Sequence, residues 1–297
     1  MSAPTTIDVC ICTFRRMHVV KTLASLAEIE LPFHSVMRVI VADNDDEPSA
    51  QVTVAQAAEQ FGLNLHYIHA PARNISIARN ACLDAATADL VAFIDDDELV
   101  TRGWLVALTT RQRELNAPIV LGPVQAVYGQ GCKAWLIEGD FHSTKPVWVR
   151  NRIITGYAGN VLMVRNTPAL ASLRFRLDLG VSGGEDSDFF SRAHHAGAMI
   201  DYAPEALVYE PVPAERANLP WLLKRRYRFG QTHAMMLREA NRGGHSDQIK
   251  AALKAIYSYA MVGLTCLHPV KRRFWRMRAM FHRGVWHTLT FPDQPVR

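Results

Sequence analysis

A chain of 297 residues, 49% hydrophobic and 21% charged, has ordinary globular composition and enough apolar side chains for one large α/β domain or two smaller ones. No basic stretch followed by an apolar run and small residues opens it, so no secretory leader is expected. Five cysteines, odd in number and without a CxxC pair, exclude a disulfide framework or zinc site and read as reduced thiols of a cytosolic protein. The net charge of +5 hides an asymmetry: residues 1–214 carry 17 Lys+Arg against 24 Asp+Glu (net −7), and residues 215–297 carry 16 against 4 (net +12). A basic tail on an acidic body points to a polyanionic partner: nucleic acid, anionic lipid or a diphosphate.

The β-rich apolar run 7–12 predicts a first strand, and Val19, Val20, Leu23, Leu26 and Ala27 recur at helical spacing within a helix over 17–28. A strand over 36–42, a helix over 49–61 with Ser49 as N-cap, a strand over 65–69 and a helix over 75–86 follow. The run 90–94 is a fourth strand, 104–115 a helix and 119–121 a further strand. This alternation predicts βαβ units and a mainly parallel sheet. From residue 122 glycines, prolines and scattered aromatics read as loops and short strands of a second lobe, with a strand over 160–165, a helix over 187–196 after the Gly183-Gly184 turn and a basic helical stretch over 217–240. Residues 255–267 are mostly apolar but shorter than the ~20 residues that span a bilayer. Lys271, Arg272, Arg273, Arg276 and Arg278 follow, interleaved with Phe274, Trp275, Met277, Met280 and Phe281. That mixture suits a peripheral membrane interface, the alternative being a helical pair packed on the body with a solvated basic face.

The polar residues cluster at strand ends. The first strand runs into Thr13-Phe14-Arg15-Arg16, the second into Asp43-Asn44-Asp45-Asp46 and the fourth into Asp95-Asp96-Asp97-Glu98. In a parallel sheet these three ends lie on one edge, where open α/β sheets bind ligands. Adjacent carboxylates repel, and a Mg²⁺ or Mn²⁺ ion shared with substrate phosphates offsets them; an acidic turn capping the next helix is the other reading of that motif alone. GxGxxG and GxxxxGK[ST] are absent, which excludes a dinucleotide fold and a P-loop, so a phosphate held here calls for a metal on Asp97. Gly183-Gly184-Glu185-Asp186 reads either as a glycine turn with an acidic helix cap or as a catalytic carboxylate. Arg225 and Arg228, three residues apart on one helix face, suit a diphosphate or a solvated surface.

Taken in order, Val9-Cys10-Ile11-Cys12-Thr13-Phe14-Arg15, Val41-Ala42-Asp43-Asn44, Ala78-Arg79-Asn80, Phe93-Ile94-Asp95-Asp96-Asp97 and Gly184-Glu185-Asp186 give the chain a pattern that resembles family 2 glycosyltransferases over about residues 7–235, in the manner of bacterial exopolysaccharide enzymes that build succinoglycan-like units. The resemblance implies a GT-A fold, with a Rossmann-like mainly parallel sheet, a smaller mixed acceptor lobe and C-terminal helices. It also implies a divalent metal (Mg²⁺ or Mn²⁺), a nucleotide-sugar donor such as UDP-glucose, inversion at the anomeric carbon, a lipid-linked saccharide acceptor and a place at the inner face of the bacterial membrane. Residues 1–121 become the nucleotide-sugar half, 122–240 the acceptor and catalytic half, and 241–297 a basic helical region. By the same resemblance Thr13, Arg15, Asp43, Arg79, Asp95 and Asp96 face the donor, Asp43 reading its base. Asp97 holds the metal, Asp186 is the general base, and Gly159, Asn160 and Glu185 line the acceptor side. Asp45 departs from the small turn usual after the acidic residue. A nucleotidyltransferase acting on sugar phosphates is the alternative, but it would typically want a glycine-rich loop near the amino terminus, and Phe14-Arg15-Arg16 lacks the glycines. A nucleic-acid binder using the basic tail leaves the acidic strand ends unexplained, so no nucleic-acid partner is expected.

Overall fold

A computed structural model describes residues 3–291; residues 1–2 and 292–297, the ends of the first and third expected segments, lie outside the described residues. The elements run β1 (Thr5–Thr13), α1 (Val19–Ala27), β2 (Ser35–Asp43), α2 (Gln51–Phe61), β3 (Leu65–His69), α3 (Ile75–Ala85), β4 (Leu90–Asp95), β5 (Leu99–Val100), α4 (Trp104–Leu115) and β6 (Ile119–Leu121). They continue as β7 (Val124–Tyr128), α5 (Ala134–Gly139), β8 (Trp148–Val149), β9 (Arg152–Ile153), β10 (Asn160–Val164), a short 3₁₀ turn (Leu177–Leu179), α6 (Glu185–His195), β11 (Ile200–Tyr202), β12 (Val208–Val212), α7 (Leu219–Glu239), α8 (His245–Leu264) and α9 (Pro269–Thr290). The chain forms two compact units: Met1–Gln125 with Ser143–Glu210, and Ala126–His142 with Pro211–Arg297.

The first unit is built on a seven-stranded sheet of order β11-β6-β10-β4-β1-β2-β3. Only β10 runs antiparallel to its neighbours β4 and β6; the other pairings are parallel. β1 is buried on both faces along most of its length, which is why its sequence reads as an almost unbroken apolar run rather than an alternation. Alternate residues serve opposite faces. Val9, Ile11, Val39 and Val41 pack against Leu23, Val54 and Trp104 of α1, α2 and α4, while Cys10, Ile40, Val91 and Phe93 pack against Ala78 and Cys82 of α3 and Phe189 of α6. All five cysteines are free.

The expected elements form, with shifted ends. α1 starts at Val19, not residue 17, and α6 starts at Glu185, two residues before the expected start. Ser49 does not cap α2: Ala50 holds that position without a side-chain bond, and its N–H donates to the Asp43 carboxylate at 2.8 Å. In the second unit α7 and α9 pack against each other, and α8 packs against α9. Gly230 and Gly284 let α7 and α9 approach at backbone contact, since a Cβ on either would meet the carbonyl oxygen of Phe281 or Tyr227. No helix among the described residues is long and apolar enough to cross a membrane.

Candidate active site

Register places the site. β1 lies between β2 and β4, with Thr13 opposite Asp43 and Cys12 opposite Asp95, so three strand ends meet at one edge. β10 runs back along β4 with Asn160 opposite Ile94, which brings Gly159 beside the acidic turn.

Within that turn the three aspartates have different environments. Asp96 is buried: Thr13 Oγ1 donates to its Oδ2 at 2.8 Å, Arg16 Nη1 to its Oδ1 at 2.8 Å, and Thr22 Oγ1 to its backbone carbonyl at 3.0 Å. Burial pushes its pKa up to about 6 against the opposing pull of Arg16 and Thr13. Asp97 also takes Arg16, at 2.6 Å, but keeps 18% of its side chain exposed. Asp95 is the open one, with 46% of its side chain exposed. Glu98, fully enclosed, accepts from the Asp95 N–H at 2.8 Å; burial first, then the Asp95 charge, hold its pKa well above the usual carboxylate range. A Cβ at Gly159 would lie 2.7 Å from Glu98 Oε1 and 3.3 Å from Asp95 Oδ2, so this position needs glycine.

The second carboxylate group arrives on α6. Gly183 and Gly184 have φ of +88° and +97°, a region that favours glycine, and this double turn starts the helix at Glu185. Arg79 of α3 joins the two groups. Its Nη1 donates to Glu185 Oε1 at 2.5 Å, its Nη2 lies 3.5 Å from Asp95 Oδ1, and its guanidinium sits 5.5 Å from the Phe175 ring centroid. Burial alone would lower the Arg79 pKa, but Glu185, Asp95 and Asp186 outweigh it and the net shift is upward. Asp186 is half-buried and accepts from the Ser187 N–H at 2.6 Å. Burial, then the Glu185 charge, push it up to about 6, with Arg79 opposing. A carboxylate with that pKa is a competent base near neutral pH.

Thr13, Arg79, Asp95, Asp96, Asp97, Gly159, Glu185 and Asp186 therefore gather in one unit, at one sheet edge. Five of the expected side chains are engaged by other residues of the chain. Asp43 is fully buried, and its carboxylate accepts from the N–H groups of Asp45 and Ala50 and from the Tyr67 hydroxyl. Asn160 is fully buried, and its amide is spent on Trp104 Nε1 and the Pro123 and Ala206 carbonyls. Thr13 is buried and supports Asp96, which is buried too. Arg15 is exposed but pairs with Asp45 at 2.8 Å, and its hydrogen bond holds the Asp45 pKa down to about 2. Arg225 and Arg228 belong to the second unit, on α7, where Arg225 lies over the rings of Trp221 and Phe229.

Sequence reasoning missed Arg16 and Glu98. Both were visible as neighbours of assigned residues, and the adjacency of β1 to β4 was the signal that the loops after them must touch.

Among the described residues no three His, Cys, Asp or Glu side chains assemble to hold a metal. That donor set still suits Mg²⁺ or Mn²⁺, which commonly take one or two carboxylates and complete their shell with substrate phosphates and water. Asp97 and the open Asp95 are the carboxylates that could serve such an ion.

Residues 8–168 match the family described as Glycosyl transferase family 2. The chain is 46% identical over 281 residues to the succinoglycan biosynthesis protein ExoM of Rhizobium meliloti (strain 1021), covering 94% of this chain and 91% of that protein. It is 28% identical over 157 residues to a pre-mycofactocin glycosyltransferase of Mycobacterium tuberculosis, 48% of this chain and 31% of that one. Among solved structures it is similar to the mannosyltransferase PcManGT from Pyrobaculum calidifontis in complex with GDP-Man and Mn²⁺ (TM-score 0.65, 18% identity, 97% of this chain and 88% of that one). It also resembles S. aureus TarS 1–349 in complex with UDP-GlcNAc (TM-score 0.55, 17% identity, 99% and 93%). It spans 55% of the longer TarS structure. These structural likenesses establish the fold, GT-A.

Proposed function

The chain belongs to glycosyl transferase family 2, and from that premise we propose that it is an inverting, divalent-metal-dependent enzyme of exopolysaccharide biosynthesis. It moves a hexose, glucose from UDP-glucose, onto a lipid-linked oligosaccharide or polysaccharide at the inner face of the bacterial membrane. The observation that carries this reading is the bridge Glu185–Arg79–Asp95, in which one buried guanidinium ties Glu185, the sequence neighbour of Asp186, to the acidic turn. The name of the 46%-identical relative supports the pathway, and the neighbours with UDP-GlcNAc or GDP-Man support a nucleotide-sugar donor.

On this reading residues 1–121 take the donor, residues 122–240 supply the acceptor side and the base, and residues 241–297 form the basic helical region. Asp97, with Asp95 beside it, would hold the metal, which when bound neutralises charge on the leaving diphosphate as a Lewis acid. Asp186 takes the proton of an acceptor hydroxyl as that oxygen bonds to the anomeric carbon. The bond from that carbon to the diphosphate breaks on the opposite face, so the configuration inverts. Arg79 fixes Asp95 and Glu185 and lowers the Asp186 pKa from where burial would leave it. Arg225 and Arg228, both in the second unit, are the proposed contacts for a diphosphate.

The test is transfer from radiolabelled UDP-glucose to a lipid-linked acceptor fraction in Mn²⁺, for the wild type and for Asp186→Asn. Label enters the lipid fraction with the wild type and not with the folded variant. Full transfer by the variant removes Asp186 as base, and label accepted only from another nucleotide sugar replaces the donor.

A further inference from the structure

We infer that the outward face of α8 is a docking surface for an anionic lipid bilayer. α8 is amphipathic in the inverted sense. Its buried positions are Ala251 and Ser258, small residues that pack inward, while the large aliphatics Ile249, Leu253, Ile256 and Leu264 are each 59–77% exposed. At 3.6 residues per turn these four fall on one face with no charged residue among them, and Leu267, 88% exposed, extends the stripe past the helix end. A helix that folds for its core alone places its largest apolar side chains inward. A contiguous exposed stripe of this kind marks an interaction surface.

Charge selects the occupant. From Gln248 to Phe291 the chain has eight Lys or Arg and no Asp or Glu. Lys250 and Lys254 lie on α8 beside the stripe, and exposed Lys271, Arg272 and Arg276 open α9 directly after it. A second copy docked face to face would bring two such cationic segments together with no carboxylate in either to offset them. An anionic headgroup layer meets the cations while its acyl boundary takes the aliphatic stripe, which is how interfacial helices bind. The edge-to-face pair of Tyr257 on α8 and Trp275 on α9, with ring centroids 5.6 Å apart, sets aromatic residues of the kind enriched at bilayer interfaces beside the stripe. No helix among the described residues is long enough in apolar sequence to cross the bilayer, so the helix lies on the surface.

This inference rests on the proposed membrane reading, which it narrows to a single face. The experiment is co-sedimentation of the full chain with phosphatidylcholine vesicles, with and without phosphatidylglycerol, at low and high salt. It compares the wild type with Leu253→Glu/Ile256→Glu and with Lys271→Gln/Arg272→Gln. Circular dichroism and thermal unfolding check folding, and both pairs are exposed enough to leave it unchanged. The wild type pellets with the phosphatidylglycerol vesicles and is released by salt. Leu253→Glu/Ile256→Glu weakens partitioning by at least about tenfold, since it places two charges in the inserted face, and Lys271→Gln/Arg272→Gln weakens it less. Equal pelleting of wild type and Leu253→Glu/Ile256→Glu overturns the proposal. So does a wild-type dimer that this double variant dissociates, without vesicle binding by either. Transfer to an acceptor in detergent separates the two readings. Loss of vesicle binding with transfer intact leaves catalysis standing, and vesicle binding by a protein that transfers no sugar leaves this surface standing while the proposed activity falls.

Discussion

Asn160→Ala tests most sharply how the structure divides support from contact. The Asn160 side chain is fully enclosed, with Nδ2 donating to the Pro123 carbonyl at 2.9 Å and the Ala206 carbonyl at 2.7 Å, and Oδ1 accepting from Trp104 Nε1 at 2.8 Å. Removing it breaks three hydrogen bonds and strands their buried partners at about 1–3 kcal/mol apiece, so the loss is on the order of 3–9 kcal/mol. Water entering the vacated space brings the value toward the lower end. At roughly 2–4 °C per kcal/mol for a unit of this size, Tm falls by on the order of 10 °C. The assay is thermal and urea unfolding, with acceptor KM measured at a temperature where both proteins are folded. The account expects a large fall in stability and an unchanged KM. Asn160→Asp, which turns an acceptor oxygen toward two carbonyls, is at least as destabilised. A Tm within about 1 °C of wild type together with a roughly tenfold higher acceptor KM would refute the reasoning and return Asn160 to the acceptor site.

Three further outcomes follow from the same geometry. Because burial raises Asp186 to about 6, kcat/KM rises with pH while that carboxyl loses its proton and levels above about 6; a flat acid limb down to about pH 4 contradicts its role as base. Arg16→Gln frees the Asp97 oxygen that its guanidinium holds at 2.6 Å, so nucleotide-free Mn²⁺ binding, read by the free-ion electron paramagnetic resonance signal, tightens by about fivefold, the equivalent of a partly exposed ion pair of about 1 kcal/mol; unchanged affinity argues against competition at Asp97. Gly159→Ala drives a methyl into Glu98 and displaces Asp95, costing about 1–3 kcal/mol of stability and about tenfold or more in transfer, and wild-type behaviour in both measurements removes the tight approach from the account.

The sheet was legible because its strands are buried on both faces and announce themselves as short apolar runs, and because polar residues collect where those runs stop. Parallel pairing then put Thr13, Asp43 and Asp95 on one edge without further information. Side-chain direction was not legible. Asp43 turns inward because the loop over 44–50 closes onto it, and Asn160 is drawn in by carbonyls 37 and 46 residues away in sequence. Arg16 was passed over for Arg15; Arg15 sits at φ +53° and pairs with Asp45, while its neighbour Arg16 reaches the acidic turn. The two-residue strands β5, β8 and β9 are too short for any period to register. In sequence the run over 255–267 read as apolar and too short to span a bilayer, and only the structure reveals that small residues occupy the inner face of α8 and leave its large aliphatics outward.

The most direct measurement is calorimetric titration of UDP, GDP and dTDP into the folded full chain, with and without Mn²⁺, repeated with Asp97→Asn. UDP is expected to bind, Mn²⁺ to strengthen the binding, and Asp97→Asn to remove the metal-dependent part while leaving the fold intact. Folded protein that binds no nucleotide in either condition, or an Asp97→Asn variant that binds UDP and Mn²⁺ as the wild type does, would contradict this expectation.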